Sequence, residues 1–407
     1  MTGSAFGNYH IIDLSQGVPG GFCTKYFADY GADVIKVEPP GIGDVARRTG
    51  PFFQDDPHPE KSLLFFYLNC NKQSVTLNLQ TSSGREMLCR LLEKADAMVE
   101  SYAPGHLAGL GLGYEQLKQL NPRLVVTSIT PFGQSGPYAG YQGNDLMYYA
   151  MSGLMYTSGA YHREPLKHGH PQSLYMGGIT AAYATAAALY AREATGEGQH
   201  IDLSLAEATA AHHYGPIARY GYTGLIERRA PKVEGGSFKG TGFEGILPAA
   251  DGYIGPSTQH GRQRGTLAEF AALIHHPELN DPKFATQQQR QERAAEFDAV
   301  ALPLLQQIKK YDFFDAAMTD GWVAGVVQTQ EDLARCPTLQ ERGYFTEVDH
   351  PVIGKLKFPG EIFRLPGAPW SLRRPAPLLG QHNLEVYCGD LGYTREELVL
   401  LRQEGAI

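Results

Sequence analysis

Residues 175–199 read YMGGITAAYATAAALYAREATGEGQ and run on into HIDLSLAEA. The stretch 176–191 is the richest apolar candidate in the chain, but it is short and built mostly of Ala and Gly. It predicts a helix packed closely inside a soluble protein, not a membrane span. The segments upstream define the layers around it. Residues 10–14 (HIIDL) form a short apolar run, 15–21 a Gly/Pro turn, 22–30 a helically spaced segment, and 32–38 (ADVIKVE) a second buried strand. The alternation repeats as strand 74–79, helix 84–94, strand 97–100, helix 114–120 and strand 124–129. Strand, crossover helix and strand in that order imply a parallel sheet. The expected fold class is α/β, with a doubly wound, Rossmann-like open parallel sheet whose ligand lies beyond the C-terminal ends of the strands. The first strand is followed by SQGVPGG in place of GxGxxG, so a dinucleotide site is not expected.

Past Ser204 the pattern changes. Residues 214–242 are rich in Gly, Tyr, Arg and Lys without a clear period, and read as an extended linker. Residues 245–256 read as a hairpin turning at Asp251-Gly252, and helical patterns follow at 266–273 and 293–309. Thr394 and Glu397 have capping-box spacing ahead of a closing helix. The expected organisation is a large α/β domain in two parts (1–213 and 326–407), a linker (214–242) and an inserted small α+β domain (243–325). The 407 residues carry a net charge of −8, which argues against a nucleic-acid footprint. The five scattered cysteines have neither metal-ligand nor disulfide spacing and, with no secretory leader, point to a reducing cytoplasm.

Several colinear blocks carry a resemblance: ADVIKVEPPGIGD (32–44), NCNKQS (69–74), ADAMVESYAPGHLAGLGLGYEQL (95–117), GNDLMYYAMSGLM (143–155), REATGEGQHIDLSL (192–205), LPAADGY (247–253), RGYFTEVDHPVIG (342–354) and APLLGQHNLEVYCGDLGY (376–393). Together with 175–199 they are similar to the family III CoA-transferases, the formyl-CoA transferase and carnitine CoA-transferase group. The resemblance implies two chains threaded through one another as linked rings. It implies coenzyme A and its acyl thioesters as substrates, small organic acids as acceptors, and no metal. It also implies a CoA pocket near Gly17, Val18, Pro19, Leu77, Ser101, Tyr102 and Leu110.

In that family a carboxylate attacks the thioester and releases the CoA thiolate as a mixed anhydride forms; the thiolate then attacks the enzyme's own carbonyl, freeing the donor acid and leaving CoA on the enzyme as a thioester. The nucleophilic Asp stands four residues before the position of Gly178. Here that position holds Leu174, and between 163 and 178 the only carboxylate is Glu164. Positions that bear basic residues in relatives hold Pro39, Gln80 and Gly109, and an Asn becomes Ser101, so the pocket for the CoA phosphates is expected to have lapsed. The racemase branch uses a GHD motif; here it reads GND, with Asn144 in the His position. His168 and His170 are read as solvated loop residues, Asp145 as the cap of its helix, and Lys72 and Asn71 as either pocket or turn residues.

The expectation is a non-catalytic subunit of a heteromeric family III enzyme, benzylsuccinate CoA-transferase being a member of that kind. Its homologous partner would carry the Asp. An active homodimer using Glu164, or a non-catalytic acyl-CoA-binding or assembly protein, are the alternatives.

Overall fold

The computed structural model describes residues 3–159, 163–229, 245–260 and 263–407. They divide into two compact units: residues up to 158 with 165–228 and 341–407, and residues 159–164 with 229–340.

The first unit is built on six parallel strands, β1 (His10–Asp13), β2 (Asp33–Glu38), β3 (Gln73–Thr76), β4 (Ala97–Glu100), β5 (Val125–Thr130) and β6 (His200–Ser204). Their order across the sheet is β3-β2-β1-β4-β5-β6, so the direction of winding reverses between β1 and β4. Successive side chains go to opposite faces. Ile12, Ile35, Met98 and Val126 enter one apolar cluster, while Ile11, Val34, Val99 and Val125 enter another. Both faces are therefore covered, as an all-parallel sheet requires.

The connecting helices are α1 (Val18–Asp29), α2 (Leu63–Asn69), α3 (Ser82–Leu92), α4 (His106–Gly109) and α5 (Tyr114–Leu120). After β5 come α6 (Asp145–Met151), α7 (Leu154–Thr157) and the long α8 (Gln172–Thr195); after β6 come α9 (Leu205–Ala211) and α10 (Tyr214–Thr223). The central stretch 175–199 is thus α8 and the turn into β6. Its small residues matter because α8 lies tightly on α1. A Cβ added at Gly178 would stand 2.7 Å from the Pro19 carbonyl oxygen, and one at Gly177 would stand 2.2 Å from Leu205 Cδ2. Larger residues would force the helices apart.

The second unit holds β7 (Leu247–Ala249), β8 (Gly252–His260), the two-residue β9 (Gln263–Arg264) and β10 (Trp322–Val326), in an antiparallel sheet. Helices α11 (Leu267–Leu273), α12 (Gln287–Glu292), α13 (Ala294–Leu305), α14 (Lys310–Thr319), α15 (Gln330–Arg335) and α16 (Pro337–Glu341) accompany it. Phe270, Phe284, Phe297, Leu305 and Trp322 fill its core. The hairpin joining β7 to β8 turns at Ala250-Asp251, one residue ahead of the expected Asp251-Gly252, because Gly252 already pairs with Ala249.

In the linker expected at 214–242, the first ten residues form α10, and the first unit extends to residue 228. Residues 230–242 of that linker lie outside the described residues. Residues 326–340 group with the second unit, and the return to the first begins at 341. There the hairpin β11 (Phe345–His350) and β12 (Gly354–Pro359) precedes a π-helical turn and α17 (Arg395–Gln403), whose Thr394–Glu397 capping box is formed. Among the described residues, no helix is long and apolar enough to cross a membrane.

Candidate functional site

The reversal between β1 and β4 opens a crevice beyond the C-terminal ends of those strands, where open α/β sheets take their ligands. The chain leaves β1 through Gly17, whose φ of 70° and ψ of −149° suit a residue without Cβ. Gly17 is the N-cap of α1, followed by Val18 and Pro19 at the start of the helix. Its N–H donates to Asp44 Oδ1 at 2.9 Å. The Gln16 N–H donates to Ser101 Oγ at 2.8 Å, tying the β1 turn to the segment after β4. The Tyr102 ring stacks on His106, with centroids 4.8 Å apart and planes 11° from parallel. Gly17, Val18, Pro19, Ser101 and Tyr102 therefore share the switch point. Leu77 follows β3 and is buried, Leu110 follows α4 and is half-buried, and both join the apolar cluster on which Tyr102 packs.

Beside this crevice lies a set of charges hidden from water. Asp13 ends β1 and accepts from Ser15 Oγ at 2.5 Å and Thr24 Oγ1 at 2.7 Å. Lys72 Nζ lies 3.0 Å from Asp13 Oδ2, and Lys36 Nζ lies 3.4 Å from Asp13 Oδ1 and 2.7 Å from Asp44 Oδ2. Arg47 grips Glu38 through Nε at 2.7 Å and Nη2 at 2.8 Å, and stacks 3.7 Å from the Phe65 ring centroid. Burial alone would raise the Asp13 carboxyl, but Lys36 and Lys72 outweigh it and hold it far below the carboxylate range. Burial also pulls the Lys72 ammonium down to about 8 against the attraction of Asp13. Lys36, Arg47 and Lys72 are each fully enclosed, so none of them presents a free cation to the crevice. Lys72 also donates to the Gly21 carbonyl, Thr24 and Asn69, and Asn71 occupies a left-handed turn with φ 67°. The contacts formed by Lys72 and Asn71 are those of the structural role.

Leu174 lies in the first turn of α8 and is half-buried. It packs against two apolar clusters, one containing Ala181 and Leu205, the other Val18 and Phe22. The carboxylate in contact with this helix start is Asp145. Its Oδ1 accepts from Ser173 N–H at 3.1 Å and Ser173 Oγ at 2.6 Å, and its Oδ2 lies 2.6 Å from Lys167 Nζ. Asp145 therefore caps α8, whereas α6 is capped by Asn144, which accepts the Met147 N–H at 3.2 Å. That exchange corrects the reading of Asp145 as the cap of its own helix. In both cases a short polar side chain supplies the acceptor a helix start lacks.

Glu164 falls in the second unit, with its side chain 71% exposed and 3.8 Å from Arg163. His168 and His170 are exposed, with His168 Nδ1 at 3.3 Å from Tyr149 Oη. Among the described residues, no group of three His, Cys, Asp or Glu side chains is disposed to hold a metal. The enclosed charges were missed from sequence, although charged residues inside the apolar runs HIID and DVIKVE are a signal of buried pairing.

Residues 7–383 match the model of CoA-transferase family III. The chain is 32% identical to "Succinyl-CoA:(R)-benzylsuccinate CoA-transferase subunit BbsE" of Thauera aromatica, over 100% of this chain and 98% of that protein. It is 32% identical to "Succinyl-CoA--D-citramalate CoA-transferase" of Chloroflexus aurantiacus, over 98% of this chain and 96% of the relative. A solved CAIB/BAIF family protein from Brucella suis superposes with a TM-score of 0.83 at 29% identity, covering 95% of this chain and 99% of the other.

Proposed function

The chain belongs to CoA-transferase family III, and on that footing we propose that it is the non-catalytic subunit of a heteromeric enzyme that moves CoA between carboxylic acids. A homologous partner supplies the Asp nucleophile. The observation that carries this reading is the apolar setting of Leu174 at the start of α8, a position from which the family's chemistry would need a carboxylate. An alkyl side chain cannot form an anhydride. Glu164, the alternative nucleophile, is a solvent-facing residue paired with Arg163, and Asp145 is engaged by Ser173 and Lys167 as a brace. The likeness to a protein named as a subunit supports the same reading.

A partner surface is available in the first unit. Ile179, Tyr183 and Tyr190 line the outer side of α8, with Tyr190 82% exposed. Tyr214, Ile217 and Tyr220 stand exposed on α10. Exposed large apolar side chains of this kind suit an association face, and the ring-linked dimer belongs to this proposal. The enclosure of Lys36, Arg47 and Lys72 supports weak CoA binding in the chain's own crevice.

The test is to purify the chain alone and together with a homologous chain bearing Asp at the equivalent position. Only the pair should exchange CoA between an acyl-CoA and a free dicarboxylate. Full exchange by the chain alone, or conversion of Glu164 or Asp145 to its hydroxamate by hydroxylamine in the presence of acyl-CoA, overturns the reading.

A further inference from the structure

A cavity of about 190 Å³ lies between the ends of β4 and β5 and the short helices α4 and α5. Its volume equals that of about six waters, and its lining includes none of Gly17, Val18, Pro19, Leu77, Ser101 and Tyr102. The walls are largely apolar, with Met98, Leu107, Leu112, Leu117 and Val126 contributing. Five side chains with polar chemistry interrupt them: Glu100, Tyr114, Ser128, Gln134 and His200; the Tyr114 hydroxyl donates to the Gly198 carbonyl at 3.3 Å.

Gln134 is fixed by its backbone, whose N–H donates to the two oxygens of Asp202 at 2.9 and 3.0 Å. Its Nε2 is buried and has no acceptor. A buried donor left unmet is destabilising, and native proteins rarely keep one without a use. Ser128 Oγ lies 2.9 Å from His200 Nε2, and the His200 ring stacks on Tyr114 with centroids 5.2 Å apart. The Glu100 carboxyl accepts the Tyr102 N–H at 2.6 Å. Burial raises the Glu100 carboxyl above its ordinary value and lowers the His200 imidazole below its own. Among the described lining residues there is no Lys or Arg. An anion entering here would meet Glu100 with no compensating cation. An ammonium would suit Glu100 but leave the Gln134 donor unmet.

We infer that this cavity is a binding site for a small uncharged molecule with an apolar body and a primary-amide head, its carbonyl oxygen accepting from Gln134 Nε2 and its N–H donating to Glu100. This goes beyond CoA transfer and does not depend on which chain carries the nucleophile.

Three probes of one size and different charge test it: butyramide, butyrate and n-butylamine, each in equilibrium dialysis against the full-length chain at pH 7.5. Butyramide should bind saturably at one per chain, in the millimolar range, and at least tenfold tighter than butyrate. Gln134→Leu should weaken butyramide tenfold or more, and Gln134→Glu should shift the preference to n-butylamine. Circular dichroism checks that both variants fold. Should they not, Ala108→Phe fills the cavity from the exposed α4 turn and should abolish butyramide binding. Absence of saturable binding (a cavity holding water only), equal binding of butyrate, or unchanged butyramide affinity in folded variants each overturns the inference.

Discussion

Leu174 is the residue on which the proposed non-catalytic role turns. Because it packs on two apolar clusters at the start of α8, Leu174→Asp should destabilise the first unit by ~1–3 kcal/mol and restore no CoA transfer. A urea melt and an exchange assay check the two outcomes separately. Gly178 makes the opposite demand, for nothing where a methyl would be. With the Pro19 carbonyl 2.7 Å from a notional Cβ, Gly178→Ala should cost ~1–3 kcal/mol, seen as a lowered melting midpoint. Lys72 is the third such residue. Removing its ammonium leaves Asp13 short of a partner in a water-free setting, so Lys72→Met should cost ~3–5 kcal/mol, read from the same urea melt. Gly178 was legible from the sequence as half of a small pair. The partners of Lys72 were not, because they come from β1, α1 and α2, and a linear reading has no measure of such convergence.

At the scale of elements, local signals resolved most of the first unit. Strand periodicity and helical spacing identified β1, β2, β4, β5, α1, α3 and α5 because each carries its apolar pattern within itself. The capping box at Thr394 is local in the same way. The linker boundary was less legible: α10 is short and leaves its tyrosines in solvent, so burial writes no period into its sequence. Helix α13 illustrates a different limit. Asp298 stands on it 4% exposed, with neither carboxylate oxygen hydrogen-bonded, and burial pushes its carboxyl up from 3.8 to about 6. Below pH ~4 the carboxyl is protonated in folded and unfolded chains alike, and no penalty arises. As pH rises from ~4 through about 6, the unfolded chain ionises first, and stability falls by ~3 kcal/mol. Asp298→Asn should therefore raise the melting temperature at pH 7.5 and flatten its change between pH 4 and 6 relative to wild type. Equal melting profiles for the two proteins would contradict the assignment.

At the scale of the whole molecule, several large aromatic side chains of the first unit stand exposed. With Tyr190, Tyr214 and Tyr222 standing in solvent, sedimentation velocity of the isolated chain should show self-association or loss to aggregation, and a homologous partner should convert it to one defined species. Replacing Tyr183 and Tyr190 with Ser should weaken that assembly while leaving the far-ultraviolet circular dichroism spectrum unchanged. The fold at this scale was readable because many modest blocks recur in one order along the chain. The proposed division of labour is less readable, since in that proposal part of the site would belong to another polypeptide.

The enclosed charges also set a timetable for biosynthesis. Asp13 is translated early, yet its counterions come from residues 36 and 72, and nascent domains tend to fold from the N-terminus as they emerge. A ribosome-stalled fragment that has not yet released Lys72 into solution cannot seat its opening strand, whereas a slightly longer one can. Limited proteolysis of stalled fragments of graded length should reveal that step.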